Sequence, residues 1–138
     1  MSSSSALDSL HDPPLRIEVS EGDVVRMIWK GKSLPRRPQE RLAPFLDGLL
    51  EKAALRVQGV EMDVRELAFM SAATMGVVVW FMGRAAVLAV PVTVFYDDSV
   101  KWQKMHFSAM CFLESSDPPI RMVPGPPLSK GPAEDEGR

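Results

Sequence analysis

Leu15, Ile17 and Val19 alternate with Arg16 and Glu18, the period-two pattern of a strand with one buried face. Glu21, Gly22 and Asp23 supply a turn, and residues 24–29 are rich in β-branched and aromatic side chains, which predicts an antiparallel hairpin partner for the first strand. A basic, proline-punctuated loop over 30–37 follows. Leu42, Leu46, Leu49, Leu50, Ala53 and Val57 then recur at spacings that place one apolar stripe on an amphipathic helix. Pro44 sets the expected start of that helix near Leu42, because proline fits the first turn and breaks the interior. Gly59 is expected to end it.

Val60, Met62, Val64, Leu67 and Phe69 read as one strand-like stretch, and at Ser71 the pattern changes to a nearly unbroken apolar run over 72–82. This predicts a second helix with Ser71 as its N-cap. A helix apolar on nearly every face requires cover from the sheet, from other helices or from a partner. Trp80, Phe81 and Met82 are therefore expected in the core, and the competing reading is a homodimer or partner groove that the nine methionines would make adaptable. Pro91 opens a buried strand over 92–96. Asp97, Asp98 and Ser99 offer caps to a third helix carrying Trp102, Met105, His106 and Met110, and residues 120–123 suit a short last strand. The order β-β-α-β-α-β-α(-β) predicts an α/β domain, a mixed sheet of four to five strands covered by three helices.

Composition sets the limits of that domain. The chain has 138 residues, 46% hydrophobic and 25% charged, which suits one globular unit. The serine run at the start, Pro13-Pro14, the late prolines and the acidic Glu134, Asp135 and Glu136 predict a disordered segment over 1–14, a domain over 15–123 and a Pro-rich acidic disordered tail over 124–138. A net charge of −2 argues against nucleic acid as a partner. Cys111 is the only cysteine, and His11 and His106 are the only histidines, so neither an intrachain disulfide nor a Cys/His zinc cage can form. No cofactor and no metal is expected. The apolar stretch over 67–83 is interrupted by Ser71, Thr74 and Gly76 and falls short of the roughly 20 residues of a membrane span. Without a signal-like start, a cytoplasmic setting is expected. Cys111, between Met110 and Phe112, reads as a buried, inert thiol, and Lys30, Lys32, Arg36, Arg37 and Arg41 read as a solvated basic set.

Met62-Asp63, Phe69, the turn Ser71-Ala72-Ala73-Thr74-Met75-Gly76 with its aliphatic helix, and the Ala-Val-Pro-Val-Thr-Val-Phe run ending at Phe95 together resemble the STAS domain. That family comprises anti-sigma factor antagonists and the cytoplasmic tails of sulfate transporters, and the resemblance covers about 15–123. It implies a bacterial, cytoplasmic protein-interaction module of signal transduction and transcription regulation, not an enzyme. Its partner would be a protein such as an anti-sigma factor or a kinase-like protein, bound through Ser71, Ala72, Ala73, Thr74 and Met75. In the family an Asp-Ser-Ser motif opens the helix, and its second serine is phosphorylated. Here those positions align with Ser71, Ala72 and Ala73, so phosphorylation at Ala73 is impossible and only Ser71 and Thr74 remain as displaced hydroxyls.

Each of these residues also has a plainer role. Ser71 suffices as a cap worth roughly 1 kcal/mol, and Thr74 could face solvent or a partner. The alternative function is a small-ligand sensor holding an anion or nucleotide at the same helix N-terminus, near Ala72 and Ala73. Acyl transfer by Ser71 with His106 lacks the Gly-x-Ser-x-Gly frame such chemistry uses.

Overall fold

The computed structural model describes residues 9–12, 14–33 and 38–125; Arg36, Arg37 and the tail beyond 125 lie outside them. The elements are β1 (Leu10–Asp12), β2 (Leu15–Glu21), β3 (Val24–Ser33), α1 (Pro38–Leu55), β4 (Gly59–Asp63), β5 (Leu67–Met70), α2 (Ala72–Val87), β6 (Val92–Tyr96), α3 (Lys101–Ala109), β7 (Ser115–Ser116) and β8 (Pro119–Pro124). The sheet order is β1-β2-β3-β4-β6-β8-β7, with β5 paired to β3. The mixed sheet, its three helices and the order of the main elements are those expected, broadly as in a STAS-like fold. The sheet reaches eight strands because short segments add to it. One of them, β1, lies inside the 1–14 stretch expected to be disordered; it pairs with β2 and buries Leu10.

β3, β4, β6 and β8 run parallel. Each crossover between them advances one strand in the same direction, and right-handed connections therefore put α1, α2 and α3 on one face. Ile17, Met27, Trp29, Met62, Val94 and Ile120 point to that face and are buried. Parallel strands are normally covered on both faces, and here the second face carries a charged layer. Asp63 is its centre. One carboxylate oxygen accepts from the Arg65 backbone N–H and Nε at 3.0 and 2.9 Å. The other accepts from Arg65 Nη2 at 2.8 Å and Arg26 Nη2 at 2.9 Å. Arg26 also pairs with Glu61, and the two guanidiniums lie 5.6 and 5.1 Å from the Phe95 ring centroid.

The Asp63 bond to the Arg65 N–H is an Asx-type turn, and it breaks the expected single strand into β4 and β5. Buried Gln103 of α3 fixes the turn from the helical side, donating to the Val64 and Leu67 carbonyls at 2.9 and 3.0 Å and accepting from the Asp97 N–H at 2.8 Å. β3 continues past Trp29 to Ser33, into the expected loop. It does so through Gly31 at φ +86, where a Cβ would sit 2.0 Å from the Pro14 carbonyl oxygen, so only glycine fits.

α1 differs from expectation at both ends. It starts at Pro38, not near Leu42, and holds Pro44 within it on its exposed side; Pro38 in the first turn supplies the fixed φ that suits a helix start. Its end comes at Leu55, well before Gly59. Val57, at φ 55, takes the left-handed position, with Val57 N donating to Ala54 O and Gln58 N to Ala53 O, a Schellman closure. α2 ends in the same way on Ala89 at φ 59, with Ala89 N to Ala86 O and Val90 N to Ala85 O.

A β-branched side chain that is 92% exposed gains nothing from packing to offset its left-handed backbone. Val57→Gly should therefore stabilise the fold by about 1 kcal/mol, read as a higher urea midpoint at unchanged slope; a lower midpoint would contradict the strain. Asp63→Asn should cost about 3 kcal/mol, because it removes the buried carboxylate that Arg65 and Arg26 share, leaving Arg26 with Glu61, and the same titration measures it.

Candidate partner-binding site at the start of the second helix

β5 runs parallel to the end of β3, with Phe69 beside Lys32 and Met70 beside Ser33. Met70 is buried and anchors the strand. The chain then leaves the sheet at Ser71, whose N–H donates to the Ser33 carbonyl at 3.2 Å. Ser71 is extended, at φ −75 and ψ 166, and its Oγ accepts from the Thr74 N–H at 3.1 Å. It is the N-cap that the pattern change implies. Met75 N closes the first turn onto Ser71 O at 2.9 Å.

Three hydroxyls converge under this turn. Ser33 Oγ lies 2.6 Å from Thr74 Oγ1, and Ser71 Oγ donates to Thr74 Oγ1 at 3.2 Å. Thr74 and Ser33 are both buried. The Thr74 hydroxyl, expected to face solvent or a partner, thus points inward to β3. A 2.6 Å hydroxyl pair away from water has a favourable low-dielectric setting and no competing solvent, so it fastens the helix start to the sheet. Ser71 and Met75 are half-buried, while Ala72 and Ala73 are exposed. What the turn presents outward is two methyl groups and the edge of a serine.

Along α2, Val77, Val78, Phe81, Met82 and Ala85 face the core. Phe81 and Met82 are buried as expected, but Trp80 is 41% exposed. All three helices occupy one layer, so α2 is covered by the sheet beneath and α1 beside it, and among the described residues its outward side has no neighbour. Trp80, with Ala43, Ala73, Gly76 and Val77, lines a hollow of about 340 Å³ between α1 and α2. Sequence reasoning missed this feature and the role of Ser33, because both depend on residues brought together from distant elements.

The charges nearby belong to the helices' flanks. The first turn of α2 holds no acidic residue. Arg84, its one charged residue, turns to α1, with Nε 3.0 Å from Asp47 and Nη2 3.9 Å from Glu51. The other candidates lie elsewhere. His106 sits on α3 with its ring 5.9 Å from that of Trp102, and Ser71 Oγ is engaged by Thr74, so the structure does not join them. Cys111 is exposed rather than buried, because the 3-10 turn Met110–Leu113 turns Met110 inward and Cys111 and Phe112 outward. Lys30 is paired with Glu18 at 3.2 Å and Glu66 at 3.9 Å. Among the described residues, no helix is long and apolar enough to cross a membrane.

No family model and no curated protein sequence matches the chain. Solved structures do. A chain in the complex of the diguanylate cyclase SiaD with its activator SiaC, from Pseudomonas aeruginosa, aligns with a TM-score of 0.59 at 16% identity, over 84% of this chain and 99% of that one. SiaC of the same organism aligns with a TM-score of 0.55 at 17% identity, over 86% of this chain and 99% of that one. At these identities the likeness is one of fold: the chain is similar in architecture to a protein that activates its partner enzyme.

Proposed function

We propose that this chain is a regulatory protein-interaction module, resembling an anti-sigma factor antagonist, that binds a partner protein through the loop before α2 and that helix's first turn. The observation that carries the reading is the turn itself. Ser71 and Thr74 use their hydroxyls to hold the helix start against Ser33, and of the exposed Ala72 and Ala73 beyond them, Ala73 opens onto the apolar hollow that Trp80 also lines. Affinity at such a surface comes from shape and buried apolar area. With alanine at position 73, binding is independent of phosphorylation at the family's usual serine, and Ser71 is the one partly exposed hydroxyl left at the turn. A fold shared with the SiaD activator SiaC supports a partner of the signalling class, whether an anti-sigma factor, a kinase-like protein or another enzyme under control, and a role in which this chain is the regulator and not the catalyst.

The small-ligand alternative has no observation on its side. Among the described residues, those lining the hollow, Ala43, Ala73, Gly76, Val77 and Trp80, include no cation to meet a nucleotide or free anion.

Ala73→Glu should weaken binding of the cognate partner by tenfold or more in titration calorimetry, because a carboxylate would be buried against an apolar contact. Ala73→Ser should bind as the parent does. Equal affinity for the parent and Ala73→Glu would remove this turn from the contact surface.

A further inference from the structure

Gln103 is buried, and both hydrogens and the oxygen of its amide have partners. Nε2 donates to the Val64 and Leu67 carbonyls, and Oε1 accepts from the Asp97 N–H. The reverse orientation of the amide would set oxygen against two carbonyls and nitrogen against an N–H, so the three partners fix it. None of them belongs to α3. That helix has nine residues, and its buried side chains are Gln103 and Phe107. One of the two is therefore polar. Burying an amide costs free energy that its hydrogen bonds do little more than return, and an unbranched apolar side chain of similar length would pack there without that cost. What the amide adds is direction.

The two carbonyls are the ends of one turn. Leu67 N–H donates to the Val64 carbonyl at 3.0 Å, and Asp63 holds the Arg65 N–H within it. Leu67 is also the first residue of β5, whose own ladder is weak. β5 has four residues, pairs with β3 alone among the described residues, and shifts register between Gly31 and Lys32. So short and irregular a ladder specifies its register poorly. Gln103 fixes the first residue of the strand, while buried Met70 and the Ser71 bond to Ser33 hold its far end.

Resting on the reading of the α2 turn as the contact surface, we infer that Gln103 is a positioning residue for that surface. Through the Leu67 carbonyl it sets the register of β5 on β3, and with it the point at which Ser71 to Met75 are presented. α3 and the contact turn therefore open and close together.

Native-state hydrogen exchange on the full chain tests this. Gln103→Met keeps the length and helix propensity of the side chain and leaves both carbonyls without their donor. In it the Ser71, Thr74 and Met75 N–H groups should exchange about tenfold faster than in the parent, beyond whatever acceleration the N–H groups of β6 show. Phe107→Leu, which trims the other buried side chain of α3, should instead speed all slow N–H groups by one common factor. The unaltered chain supplies a reading that needs no variant to fold: the Gln103 side-chain N–H groups and the Ser71 N–H should open with the same dependence on urea. A common factor in Gln103→Met, an equal excess at the turn in Phe107→Leu, or unlike urea dependences in the parent would overturn the inference. These measurements do not involve the partner. Equal affinity of the parent and Ala73→Glu would strike the contact surface and leave the positioning of β5 standing, whereas a common exchange factor would strike the positioning alone.

Discussion

The carboxylate of Asp63 is the constraint from which the rest of the arrangement follows. A buried carboxylate must be neutralised and hydrogen-bonded, and this one meets that demand through Arg65 and Arg26. In doing so it bends the backbone after β4, since the Arg65 N–H is among its donors. The bend is what separates β4 from β5 and moves the chain across to the end of β3. Only from there can Ser71 reach the Ser33 carbonyl and start α2 above the sheet. The electrostatics of one sheet face thus set the position of a helix on the other.

That same network answers a problem of the topology. Three crossovers of one hand in one direction crowd all helices onto a single face, leaving parallel strands bare on the other. Apolar side chains there would form a wide sticky surface. Instead, in the row from Ile28 through Asp63 and Phe95 to Val123, the central pair is met by the Arg26 and Arg65 guanidiniums, which are attractive both to the Asp63 carboxylate and to the Phe95 ring. The middle of the sheet's open side carries paired charges, and α2 is one of several places where apolar side chains reach the surface, with Val79, Trp80 and Val87 exposed.

The hydroxyl cluster beneath α2 bears on regulation in a different way. In a turn that is switched by phosphate, the acceptor hydroxyl must be presented to an enzyme. Here the two hydroxyls nearest the helix start are committed to structure: Thr74 is sealed against Ser33, and Ser71 caps the helix. The outward positions are methyl groups. Such a turn offers no outward hydroxyl at Ala72 or Ala73.

Much of this was legible along the chain because it is local. The alternation at 15–19, the stripe from Leu42 to Ala53, the cap at Ser71 and the apolar run behind it each follow from spacing, since side-chain direction within an element depends on the element's own period. Where local rules compete, the chain misleads. Pro44 argued for a later start of α1, yet the helix begins at Pro38 and carries Pro44 within it; Val57 did a glycine's work at its end; Asp63 divided what looked like one strand. What no local rule can supply is which side of a uniformly apolar helix remains uncovered. Trp80, Phe81 and Met82 are neighbours of like hydrophobicity, and only the placement of all three helices in one layer sends Phe81 and Met82 inward and leaves Trp80 in the open. The sequence alone determined that α2 needed cover on several sides; the tertiary structure decided that, among the described residues, one side stays exposed, because a single layer can enclose a helix only from beneath and beside.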